Sequence, residues 1–133
     1  MSTSDLTTED RRRKRSTDPL IALHYQLTHA RHAGSLDTVV LADPSGVIVA
    51  GAGSWAACEE LAAYAPLLAD EGIGDGPVQS RIASMRADVD VRHLQISGQE
   101  VLLCGRGAPG GGARDLAMDA AAQGISRILS AAA

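Results

Sequence analysis

Phenylalanine is missing from this 133-residue chain, and aromatic residues make up 2% of it: Tyr25, Trp55 and Tyr64. A core without rings must be filled by Leu, Ile, Val and Ala, which gives thin layers and disfavours a large aromatic-lined ligand cavity. Lysine occurs once, at Lys14, against eleven arginines, a bias that fits a GC-rich bacterial genome. Cysteine occurs twice, at Cys58 and Cys104, too few for a disulfide framework. Long apolar runs are also lacking, and nothing approaches the roughly 20 residues that cross a bilayer. The polar N-terminal stretch has no apolar stretch of signal-peptide type. The expectation is a reduced, cytoplasmic protein with two buried thiols.

Positive charge is scarce outside one place. Net charge is −4. Residues 1–18 carry five basic and four acidic groups, for +1; the remainder carries seven and twelve, for −5. A mildly acidic body does not attract a polyphosphate backbone, so nucleic-acid binding is not expected. The run Arg11-Arg12-Arg13-Lys14-Arg15 is a candidate electrostatic contact for an acidic protein, nucleic acid or an anionic membrane face, with a solubilising tail as an equal reading. Residues 1–18 lack periodicity and read as a disordered basic tail; 19–133 read as one domain.

Asp18-Pro19 has the form of an N-cap followed by proline at the first helical position. Leu20, Leu23, Leu27 and Ala30 then recur at helical spacing, and Gly34 ends the segment. "VVLADPSGVIV" is two β-rich runs around Asp43-Pro44-Ser45-Gly46, which predicts a hairpin. Both runs are apolar with little alternation, so each is expected to be covered on two faces. Ser54 can cap a second helix whose inward stripe is Cys58, Leu61, Ala65 and Leu68, with Pro66 expected to kink or shorten it. The stretch Val78–Met85 fits a short edge strand and a helical turn equally well. Val89, Val91, Leu94 and Ile96 alternate with polar residues, but the phase slips near His93, which predicts a bulge or bend. "EVLLCGRG" reads as a central strand. The closing helix draws its apolar side from Leu116, Met118, Ala120, Ile125, Ile128 and Leu129, with Gly124 allowing close approach to the sheet. The order helix, two strands, helix, two or three strands, helix predicts a three-layer α/β/α sandwich around an antiparallel sheet of four to five strands.

Gly105-Arg106-Gly107-Ala108-Pro109-Gly110 spells G-x-G-x-x-G, the pattern of a loop that cradles a dinucleotide pyrophosphate. A dinucleotide fold also needs a following parallel strand and an acidic residue about 20 positions on. Neither follows here, and Pro109 removes a backbone donor. The glycines are therefore expected to form a strand-to-helix link. His24, His29 and His32 share one helix without a partner at metal-site spacing; His24 is expected to be partly buried. Cys58 and Cys104 sit in apolar contexts that raise a thiol pKa and lower reactivity. No acid, base and orienting group assemble, so no catalytic residue, cofactor or metal is expected. Trp55 and Tyr64 lie on opposite sides of the second helix's inward stripe. With Glu59, they are the candidate protein interface, since large amphipathic side chains serve as interface anchors; filling the edges of the core is the competing reading.

The element order, "VVLADPSGVIVAGAG" and the closing amphipathic helix together resemble the bacterial Roadblock/dynein-light-chain family, over residues 19–131. Its members carry Asp-Gly at the hairpin turn, where this chain has Pro44-Ser45 between Asp43 and Gly46. The resemblance implies an α/β/α sandwich with a five-stranded antiparallel sheet, whose third strand falls on Val78–Met85. It also implies a non-catalytic homodimer paired through the second helix and third strand, which binds a Ras-like GTPase or serves as a scaffold. A small-molecule sensor of GAF or PAS kind is the alternative, and would need an internal pocket.

Overall fold

The computed structural model describes residues 18–70, 77–107 and 112–132. Helix α1 (Pro19–Ala33) leads to strands β1 (Leu36–Ala42) and β2 (Ile48–Ala52). Helices α2 (Trp55–Ala69) and α3 (Pro77–Arg86) follow, then β3 (Val89–Ile96), β4 (Gln99–Gly107) and α4 (Gly112–Ala132). The four described strands form an antiparallel sheet in the order β2-β1-β4-β3.

Local chemistry fixes the element starts. Asp18 Oδ1 accepts the Leu20 N–H at 3.1 Å and the Ile21 N–H at 3.4 Å, which caps α1 ahead of Pro19. Ser54 Oγ accepts the Ala57 N–H at 3.2 Å and caps α2 in the same way. At the hairpin, Asp43 Oδ1 accepts the Ser45 N–H at 2.9 Å, the Ser45 hydroxyl at 2.6 Å and the Val47 N–H at 3.0 Å, while Gly46 takes φ +91°. The Ser45 hydroxyl and then the Val47 amide hold the Asp43 carboxyl below its ordinary value of 3.8. A lowered folded-state pKa stabilises above the unfolded value and loses that contribution as pH falls through the folded one. Asp43→Asn should therefore melt lower than the parent by a constant interval above about pH 5, an interval that shrinks at lower pH. Circular-dichroism melts across that range check it; an interval independent of pH removes the carboxylate's role.

Two cores lie on the two faces of the sheet. Val39 and Leu41 of β1 join Leu23 and Leu27 of α1 and Met118 and Ile125 of α4. Val40 and Ala42 join Leu61 and Ala65 of α2, Ile82 of α3, and Leu102 and Cys104 of β4. The unbroken apolar run of β1 is thus one strand facing two cores. The expectation of two-sided cover holds along β1, and β2 also meets both layers, with Ala50 and Ala52 in the α1/α4-side core and Ile48 against the α2-side core, but the hairpin end of β2 is open. The sheet ends at β2, and Val47 and Val49 are exposed there.

The ambiguous stretch Val78–Met85 is helical. Ile82 is buried in the α2-side core, so α3 is part of a layer and not a fifth strand. The bulge expected at His93 is absent: β3 pairs continuously with β4 from Val89↔Arg106 to Ile96↔Gln99. The phase slip has another cause. Odd-numbered Val89 and Val91 meet the α2-side core, whereas even-numbered Leu94 and Ile96 meet the α1/α4 core. Cover passes from one face to the other along a regular strand. The irregularities fall instead on β1, between Leu36 and Thr38 and between Leu41 and Ala42.

Pro66 does not end α2 at once: it sits in the last turn, and the helix closes at Ala69. Leu20 and Leu116 leave the predicted apolar stripes and are exposed, as is Ala120. Gly124 faces α1 and not the sheet, because a Cβ there would collide with the Gln26 side-chain amide.

Candidate protein-binding face

The three predicted interface residues do not share one patch. Trp55 is the first residue of α2 and is 62% exposed, with Glu59 exposed one turn later. Tyr64 follows Trp55 by nine residues, about half a rotation around a helix of 3.6 residues per turn. Its ring is half-buried against the α2-side core and lies beneath the Arg81 guanidinium of α3, 5.5 Å from centroid to carbon. Arg81 also reaches the Glu60 carboxylate at 3.4 Å. Tyr64 thus serves the α2–α3 junction, which matches the core-edge reading, whereas Trp55 does not fill a core edge. Around Trp55 and Glu59 the open surface of α2 carries the small residues Ala56 and Ala63. The basic run Arg11–Arg15 lies outside the described residues.

The glycine motif divides. Ala108–Gly111 lie outside the described residues, but Gly105 and Gly107 are inside β4 and not in a loop. A Cβ on Gly105 would come 2.7 Å from the Met118 sulfur, and one on Gly107 would come 3.2 Å from the Ser35 carbonyl oxygen. Both glycines let β4 approach its neighbours closely, a packing demand that the bare spelling of the motif hides.

Both thiols are buried and free. Loss of hydration pushes Cys58 up, opposed by the charges of Arg106 and Arg31. Burial, with a smaller effect from the Asp90 charge, pushes Cys104 up to about 12. Neither is arranged as a nucleophile. His24, expected to be partly buried, is exposed, as are His29 and His32. His93 pairs with Glu100, with Nδ1 2.9 Å from the carboxylate. Arg92 donates from Nε and Nη2, one edge of its guanidinium, to the two oxygens of Asp90 at 2.9 and 3.0 Å, and from Nη1 to Asp119 on α4. That cluster pins β3 to α4. Among the described residues, no three His, Cys, Asp or Glu side chains are placed to share a metal ion. No helix among them is long and apolar enough to cross a membrane.

No family model matches the chain, and no curated protein matches its sequence. Solved structures do match its shape. That of Myxococcus xanthus MglB aligns over 86% of this chain and 92% of its own, with a TM-score of 0.54 and 14% identity. The fold is Roadblock-like. The gliding protein MglB of Thermus thermophilus aligns over 84% and 90%, with a TM-score of 0.53 and 16% identity. A structure described as MglB with a tetrameric arrangement aligns over 86% and 93%, again at 0.53 and 16%. Among the described residues the sheet has four strands where the sequence resemblance implies five, and α3 occupies the stretch expected to be the third strand.

Sequence reasoning missed two surface features. Ile21 and Tyr25 are exposed on α1, although Tyr25 does make a further interaction. An open, mostly apolar groove of about 730 Å³ lies at the hairpin end of the sheet, walled by Pro44, Val49, Ile96, Val101 and Leu129. These residues come from five separate elements, so no local pattern could have shown it.

Proposed function

We propose that this chain is a cytoplasmic, non-catalytic regulatory module of Roadblock type, which pairs with a second copy of itself and binds a Ras-like small GTPase or a related signalling protein. The observation that carries the reading is Trp55, an exposed indole at the start of the helix that the family resemblance assigns to pairing. Around it, Ala56 and Ala63 let another helix approach closely, and Glu59 supplies a charge at the rim. Buried aromatic anchors surrounded by weaker contacts are the usual energetic centre of a protein interface. Because α3 replaces the implied third strand, pairing in this chain rests on the α2 surface and not on a sheet continued through that strand.

Light scattering across micromolar concentrations should show a dimer, and Trp55→Ala should weaken self-association by about 30-fold or more, as loss of a hot-spot aromatic does. The variant's melting temperature, extrapolated to low protein concentration, should stay near the parent's, since the indole is outside both cores. A parent chain that is monomeric throughout, or a variant that dimerises equally well, overturns the pairing. A Ras-like GTPase encoded alongside this chain should bind it in a pull-down from purified components; absence of binding in both the GDP- and GTP-loaded forms overturns that part.

A further inference from the structure

The apolar groove at the hairpin end has an acidic rim, formed by Asp43 and Glu100. Asp43 is tied into the turn by three hydrogen bonds, all through Oδ1. Glu100 pairs with the exposed His93 ring. The third element of the rim is the C-terminal end of α4, with Leu129 and Ala132 lining the groove. The last carbonyls of a helix lack intrahelical donors and carry partial negative charge, and α4 has no basic residue in its last turn to offset them. Apolar walls and an acidic rim fit a basic segment with an aliphatic stem, such as a row of arginines whose methylenes pack while the guanidinium groups meet the carboxylates.

The chain supplies such a segment at this spot. Helices α1 and α4 run antiparallel: Gly34 lies against Ala117, Gln26 against Gly124, and Ala22 lines a shared depression with Ile128. By that register Asp18, the residue that starts α1, is level with the last turn of α4 and the groove. Arg15 and Arg11 precede Asp18 by three and seven residues, a reach of about 10 to 25 Å for extended chain. Residues 19–133 carry a net −5, and the basic run holds all five cations of the first eighteen residues.

We propose that the basic run Arg11–Arg15 docks back onto this groove of its own chain, with its guanidinium groups on Glu100, Asp43 and the end of α4. The groove is then occupied in the free protein, and an acidic partner that captures the run exposes it. The device is independent of α2 pairing and stands or falls separately from it.

The test uses the full chain with Thr8→Cys carrying a nitroxide, since the buried Cys58 and Cys104 thiols do not compete for the label. At low salt, the amide signals of Ile96, Gln99 and Val101 should be broadened about threefold more than in 1 M NaCl, where the screening length falls to about 3 Å. Glu100→Lys, and separately reversal of all five charges from Arg11 to Arg15, should remove that excess. Broadening confined to the start of α1 and indifferent to salt overturns the proposal. So does equal broadening when the nitroxide chain is mixed with an isotope-labelled, spin-free chain, because the occupant is then a second copy's tail. If Glu100→Lys fails to fold, the tail reversal, which alters no described residue, decides alone.

Discussion

Gly53→Ala is expected to cost about 3 kcal/mol of folding stability, seen as a drop of roughly 12 °C in melting temperature. Gly53 joins β2 to the N-cap of α2 with φ +123°, a conformation that L side chains rarely adopt. The space is also closed. A Cβ there would stand 2.8 Å from the Asp37 carbonyl oxygen and 3.3 Å from the Thr38 Cα. Those are backbone atoms at the start of the central strand, where no side chain can swing aside. Relief would require moving β1 or tilting α2 from its cap, and both lie in the α2-side core. Gly98 provides the comparison. It has φ +80° but nothing within 4 Å of a Cβ, so Gly98→Ala should cost about 1 kcal/mol, the backbone term alone. If the two variants melt together, the close approach at Gly53 has no energetic weight.

The second large effect is alkaline. Cys104 is fully buried, and its thiol is pushed from the ordinary 9.0 to about 12, first by burial and then by the Asp90 charge. Above pH 9 the unfolded chain ionises this thiol while the folded chain keeps it protonated. The unfolded state therefore binds fewer protons, and stability falls as pH rises between about 9 and 12. The slope approaches about 1.4 kcal/mol per pH unit. Other groups titrate in this range too, so the measurement is a comparison. Urea midpoints of the parent and of Cys104→Ala, taken from pH 8 to about 10.5, should converge, with the parent losing about 2 kcal/mol more than the variant. Parallel pH profiles would show that the buried thiol is not what the folded state protects.

Caps and turns were legible from the sequence because their energetics close within a few residues. Asp18 meets amides two and three positions on, Ser54 meets the Ala57 amide, and Asp43 meets those of Ser45 and Val47. The inward stripe of α2 was legible for the same reason, since Cys58, Leu61, Ala65 and Leu68 follow the helix's own period. Of the candidate site, the prominence of Trp55 could be read from the chain, but its separation from Tyr64 could not. That separation depends on Arg81, which arrives on a helix whose existence the sequence left open.

By itself, then, the sequence determined the helix starts, the hairpin, a β1 apolar enough for two cores, and the order of elements that makes an α/β/α sandwich. Tertiary structure alone decided that Val78–Met85 is helical and that β3 changes its covered face without a bulge. It also decided that Gly105 and Gly107 are packing residues inside a strand, and that five distant segments enclose an acidic-rimmed groove. The physical reason is range. Hydrogen bonds of caps and turns, and the periodicity of a helix, are settled among neighbours in the chain. Burial, close approach and charge surplus are settled by whatever lies opposite in space, and that partner is remote in sequence.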